Sequence, residues 1–326
     1  SENHRRANRG NCIWAGDTRT FAADKETVIK IWRSHLFLLA ANLIYAANYS
    51  IARLAMPAYI GPFGFILLRA CGAVLFFWCA GLFLKRERVR PKAFARFFLC
   101  AVFGAVVNQL SFFYGLSLTA PISASILMSA TPIVTLALSV VFLKERITPL
   151  KTLGIISALA GALVLILNAE RDPVIATDPQ LGNFMILINA ISYAVYLTMV
   201  KPLMARYSAV TVAKYMFLFG LIMVFPFGYR EVASISWAAL PEEAIFSVLY
   251  VVVMLSCLAC WLILIAMKKA RASTVGVYVY LQPGFSSIFA FLLGADSLNA
   301  VKIISMALIF FGVYLVSFQN QKARNV

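Results

Sequence analysis

Asn42, Tyr45, Asn48 and Tyr49 fall three and four positions apart in an otherwise apolar stretch. That spacing gathers them on one helical face. Asn189, Ser192, Tyr193 and Tyr196 form a second stripe of the same kind. Amides and phenols are costly in hydrocarbon without partners, so each stripe must face a cavity or another helix. Hydrogen bonding to a polar solute is the chemistry such a set offers; bonding between helices is the plainer alternative.

Further polar groups follow the same logic. Asn108, Gln109 and Tyr114 share one apolar run, and two adjacent amides point apart, so one is expected to meet a solute and the other a neighbouring helix. Ser125 and Ser129 precede Pro132, while Tyr278 and Gln282 precede Pro283. Each proline is expected to kink its helix and to free the carbonyl four residues earlier, at Met128 or Val279. Arg69 lies about 10 Å inside an apolar run with no acid nearby in sequence. Such a charge faces the bundle, snorkels or meets an anion, so it reads either as a carboxylate site or as a tether to backbone carbonyls. Lys214 is a related but shallower charge, free to snorkel. The expected cavity lining is therefore Asn42, Tyr45, Tyr49, Arg69, Asn108, Ser125, Ser129, Asn189, Tyr193, Tyr196, Tyr278 and Gln282, with Pro132 and Pro283 as kinks.

Equally informative is what these runs lack. No Asp or Glu lies within them, and the two histidines are His4 and His35. Cation–proton exchange on a buried carboxylate is disfavoured. So is an intramembrane enzyme, which needs carboxylates, histidines or an activated serine. No catalytic residue, metal site or cofactor is expected. Cys257 and Cys260 form a C-x-x-C within an apolar run and read as packing, as do three of the other four cysteines.

The elements that position these groups follow from composition. The 326 residues are 62% hydrophobic and 13% charged, against about 25% charged in soluble domains. The net charge of +16 sits in short bursts between apolar runs, which excludes a nucleic-acid groove. A span needs about 20 apolar residues, and ten are predicted: 34–54, 62–84, 94–117, 121–143, 150–168, 181–204, 209–229, 243–266, 273–293 and 299–318. Lys and Arg crowd every second loop, from the basic tail 1–33 to the closing tail 319–326, so both termini are expected in the cytoplasm.

Residues 120–168 and 271–318 are versions of one segment. Aligning Pro132 with Pro283 (283 − 132 = 151) also aligns Glu145 with Asp296, Gly154 with Ser305 and Gly161 with Gly312. Tyr45 meets Tyr193 at an offset of 148. Five spans per copy is an odd number, so the copies 34–168 and 181–318 must insert in opposite senses, with a central site reachable from either side. The fold class expected is an all-α integral membrane bundle of two inverted five-helix repeats.

The blocks S-x-x-x-S-A-T-P-I…F-L-K-E-R and Y-L-Q-P…L-G-A-D-S, in a ten-span chain, resemble the EamA branch of the drug/metabolite transporter superfamily. Asp296 stands where the family usually has Glu, and Ser305 where the first copy has Gly154. The resemblance implies export or exchange of small polar metabolites such as amino acids, in a bacterial inner membrane. A phosphorylated-sugar or nucleotide-sugar exchanger, with Arg69, Arg53 and Lys201 as anion ligands, is the alternative. The expected partners are a small-molecule substrate and the lipid bilayer, with no nucleic acid; homodimer formation is left open.

Overall fold

The computed structural model describes residues 34–84, 87–131, 133–135, 138, 149–169, 176–267 and 278–322. Every regular element among them is helical. In chain order these are α1 (Ser34–Leu54), α2 (Pro62–Leu82), α3 (Pro91–Leu118), α4 (Pro121–Met128), α5 (Pro149–Leu167), α6 (Pro179–Met204), α7 (Ala209–Ala233), α8 (Glu242–Met267), α9 (Gln282–Leu292) and α10 (Ala300–Lys322). Helices are what an apolar chain must form in lipid, since every backbone amide then bonds within its own segment. Their starts are written in the sequence. Proline opens α2, α3, α4 and α6, where its missing N–H costs nothing. Asp178 and Ser208 cap α6 and α7 by accepting from Leu181 and Thr211.

Among the described residues, six helices are long and apolar enough to cross a membrane: α1, α2, α3, α6, α7 and α8. The apolar stretches Pro121–Thr135, Thr152–Leu167 and Ala300–Gly312 are shorter, and the predicted spans 121–143 and 273–293 run into residues outside the description. Large apolar side chains such as Leu75, Leu82, Leu163, Ile222 and Phe225 point outward. In water they would be a liability; against lipid they are the solvated face.

Two of the long helices are not α-helical throughout. Val102–Val106 in α3 and Tyr250–Ala259 in α8 are wound as π-helix. These segments begin 148 positions apart (250 − 102), the offset that relates Tyr45 to Tyr193.

The interior is divided. One apolar core gathers Ile60, Phe65, Leu116, Ile122, Ile186 and Val224. The other gathers Leu38, Phe77, Phe97, Val200, Val210 and Met267. Successive helices enter these cores from alternating ends, so the cores lie at opposite ends of the bundle. Ile44, Tyr45 and Tyr193 pack against both, which places them at the waist.

Small residues bring helices into backbone contact. A Cβ on Gly115 would lie 2.8 Å from the Gly182 carbonyl oxygen, and one on Gly182 would lie 2.8 Å from that of Gly115. This locks α3 to α6. Along α5 and α10, a Cβ on Gly161 would meet the Ser305 oxygen at 2.8 Å, and one on Gly312 the Gly154 oxygen at 2.4 Å. Between them Ser157 Oγ donates to the Leu308 carbonyl at 2.8 Å. Ser157 and Leu308 are themselves 151 positions apart (308 − 157).

Candidate functional site

Between the two cores lies a cavity enclosing about 1040 Å³ of atom-free space, including its opening. Nine of the twelve expected lining residues border it: Asn42, Tyr45, Tyr49, Arg69, Asn108, Asn189, Tyr193, Tyr196 and Gln282. The two polar stripes of α1 and α6 thus face one space, as their helical period predicts. Ala213, Met216 and Phe217 from α7, and Leu255, Cys260, Ile263 and Leu264 from α8, complete an apolar portion.

Along the helix axes the lining occupies the middle of the bundle. On the side of the α1 start it reaches Ala213, four residues into α7, and Leu264, three before the end of α8, but stops at Asn42, eight residues into α1, and at Tyr196, eight before the end of α6. On the other side it stops at Arg69, seven residues into α2, and at Phe112, six before the end of α3, where Phe112 meets Tyr49 and Phe113 edge-on.

Arg69 is 4% exposed. Its Nε donates to Ser256 Oγ at 2.7 Å, and a terminal nitrogen donates to Gln109 Oε1. Ser256 can accept because it sits in the π-wound part of α8, where its own hydroxyl donates five residues back to Val251. Gln109 passes the chain on, its amide nitrogen donating to Asn108 Oδ1. Asn108 and Asn189 then clasp each other's backbone, Asn108 Nδ2 on the Asn189 carbonyl at 3.3 Å and Asn189 Nδ2 on the Asn108 carbonyl at 2.7 Å. Contrary to the expectation that adjacent amides divide their roles, Asn108 and Gln109 both border the cavity and both bond a neighbouring helix. The longer Gln109 side chain folds back far enough to reach its neighbour.

On the opposite wall Tyr49 Oη donates to Gln282 Oε1 at 2.9 Å. Gln282 Nε2 donates to Asn42 Oδ1 at 2.7 Å, and Asn42 Nδ2 to the Leu38 carbonyl at 2.8 Å. This relay ties α1 to the start of α9. Tyr45 Oη lies 3.7 Å from Cys260 Sγ, a thiol without a disulfide.

Three expected lining residues lie elsewhere. Ser125 and Ser129 are fully buried but outside the cavity lining. Ser125 Oγ donates to the Ile122 carbonyl at 2.7 Å and accepts from Ser286 Oγ at 2.6 Å; Ser129 Oγ donates to the Ser125 carbonyl. Ser125 thus joins α4 to α9, the interhelical role that serine takes in lipid, while Ser129 bonds back within its own segment. Tyr278 Oη pairs with His35 Nδ1 at 2.6 Å, at the start of α1.

The proline expectations also change. Pro132 lies outside the described residues, and the Met128 carbonyl accepts from Thr131 Oγ1 at 2.6 Å rather than standing free. Pro283 sits in the first turn of α9, which begins at Gln282; Tyr278 and Val279 are helical and the turn at Tyr280–Leu281 breaks the run just ahead of the proline. Of the other cations, Arg53 donates to the Leu116 and Thr119 carbonyls, Lys201 is exposed, and Lys214 lies 3.7 Å from the centre of the Trp78 ring. None of the three borders the cavity, which removes two of the three anion ligands expected for sugar-phosphate exchange.

Asn48 belongs to the first stripe but not to the expected lining, and it borders the cavity. It is 1% exposed, and neither its Nδ2 nor its Oδ1 has a partner; Asn189 Oδ1 is likewise unpartnered. No group of three potential metal ligands occurs among the described residues.

The sequence model described as the EamA-like transporter family matches residues 32–167 and again 180–318. A WAT1-related protein of Arabidopsis thaliana is 24% identical over 86% of this chain and 78% of its own length. An uncharacterized transporter of Archaeoglobus fulgidus is 25% identical over 89% of this chain and 99% of its own. A protein of Streptantibioticus cattleyicolor named as a probable terminal-alkyne amino-acid exporter is 24% identical over 89% and 95%. One solved crystal structure shares the fold with a TM-score of 0.60 at 21% identity, covering 88% of this chain and 97% of that one. The chain belongs to the EamA-like transporter family.

Proposed function

We propose that this EamA-family membrane transporter moves small polar metabolites, amino acids among them, by exposing the central cavity alternately to the two sides of the membrane. The observation that carries the reading is the cavity itself, a largely apolar space between the two cores into which polar side chains from helices of both halves project. Some of those polar groups tie helices together, while the Asn48 amide has no partner.

An inverted five-helix repeat is the architecture that makes such a cavity switchable. Support for it comes from the family model matching once in each half and from contacts that recur under exchange of counterparts. Gly161 meets Ser305 as Gly312 meets Gly154, and each pair becomes the other when 151 is added or subtracted. Gly72 facing Val252 and Gly220 facing Ala105 follow the same rule near an offset of 148. The relative named as an amino-acid exporter supports amino acids as the first substrates to test. Export from a bacterial inner membrane is the corresponding direction and place.

The purified protein, reconstituted into liposomes preloaded with unlabelled amino acids, is expected to accumulate labelled amino acid by counterflow. Liposomes preloaded with sugar phosphates should show no such exchange. Counterflow equal to that of protein-free liposomes for amino acids of every side-chain class would end this reading.

A further inference from the structure

The cavity holds a charge that the protein does not neutralise. Arg69 is 4% exposed, and its partners are neutral: Ser256, Gln109 and, at 4.0 Å, the Cys260 thiol. Among the described residues, no Asp or Glu borders the cavity. A guanidinium has five N–H donors in a planar fork; two of them are given to oxygen and a third to the Cys260 sulfur. Two are left over. A buried cation is costly unless an anion and full hydrogen bonding accompany it. The tethers fix the position of Arg69 without supplying its counter-charge.

A second observation is independent of Arg69. Asn48, on the facing helix α1, borders the same cavity at 1% exposure with both amide atoms unpartnered. Leaving a buried amide unmade costs about 1–3 kcal/mol, so a site that keeps one is holding a donor and an acceptor for something that enters. Asn189 adds a free acceptor, its Oδ1. Along α7 and α8 the wall turns apolar, through Ala213, Met216, Ile263 and Leu264.

Resting on the transport reading, we propose that the cargo is an amphipathic organic carboxylate: its carboxylate is held by Arg69 and the Asn48 amide, its hydrocarbon body lies against Met216, Ile263 and Leu264, and an ammonium group is not required. The guanidinium fork matches the two oxygens of a carboxylate, and the anion supplies the charge that the cavity lacks. An amine finds no anionic partner among the described lining residues; its acceptors are neutral, Asn48 Oδ1 and Asn189 Oδ1. Apolar amino acids therefore enter through their carboxylates, and their des-amino analogues enter equally. Simple amines are rejected, since they would place a second cation in the same low-dielectric space as Arg69.

Three ligands that differ by one group each test this: L-phenylalanine, 3-phenylpropionate, which lacks the ammonium, and 2-phenylethylamine, which lacks the carboxylate. Binding to the purified full-length protein is measured by calorimetry. The two carboxylates are expected to bind within a few-fold of each other, with the amine weaker by about tenfold or more. Arg69→Gln should cost both carboxylates about tenfold or more, and Arg69→Lys should restore part of that. Asn48→Ala guards against a folding artefact, because its amide bonds nothing that would be lost. It should leave the melting temperature unchanged or higher while weakening both carboxylates.

Equal binding of amine and acid, absence of binding by all three, or carboxylate affinity untouched by Arg69→Gln and Asn48→Ala would each overturn the proposal. Vesicle uptake of the same three ligands keeps it separate from the transport reading. Acid and amine carried alike would refute the carboxylate requirement and leave transport standing. Carboxylates that bind with the expected selectivity but are never carried would do the reverse.

Discussion

At the scale of single residues, the polar groups divide into those that wait and those already engaged. Tyr49 is engaged: its hydroxyl starts the relay through Gln282 and Asn42 to the Leu38 carbonyl. Tyr49→Phe removes one donor and leaves the Gln282 oxygen unpaired, a cost of about 1 kcal/mol. Because the relay ties α1 to α9 across the cavity, thermal melting should fall by a few degrees and the rate of counterflow should change. Ser125 marks the contrast. Its hydroxyl bonds Ile122 and Ser286, so Ser125→Ala should lower the melting temperature by a similar amount while leaving the Michaelis constant for uptake unchanged. The stripes of α1 and α6 were legible because a 3.6-residue period fixes which side chains share a face. The same period cannot say whether that face meets a void or another helix, and that is why Ser125 and Ser129 were misplaced. Asn48 was visible on its stripe, but that both its amide atoms would lack partners follows from the packing of other helices and from nothing local.

At the scale of elements, helix starts were legible from proline and from capping Asp and Ser. The π-wound parts of α3 and α8 were not: no local signal marks the widening at Tyr250–Ala259. The break at Tyr280–Leu281 differs, because it falls just before Pro283, where a proline disturbs a helix. The join between halves can be tested where α4 begins. Asp296 Oδ2 accepts the Ile122 N–H at 3.0 Å, and its other oxygen pairs with Lys302. Both side chains are nearly buried, at 11% and 5% exposure for Lys302 and Asp296. Asp296→Asn should therefore cost about 3 kcal/mol, since it strands a buried cation. The double variant Asp296→Asn, Lys302→Met should recover part of that stability in chemical denaturation. Recovery of nothing would mean that the helix cap, and not the ion pair, carries the stability.

At the scale of the whole molecule, two apolar cores flank a cavity whose polar groups come from both halves of the chain. The seam between α5 and α10, where Ser157 bonds Leu308 and glycines meet backbone on either side, has a consequence for heredity as well as for shape. Each half carries the complement of its own surface there, so a gene cut between residues 169 and 178 should still yield a working protein when its two pieces are expressed together. Gly312→Leu in one piece should abolish that complementation. The halves would recognise each other through this seam as two copies of one ancestral chain would have done.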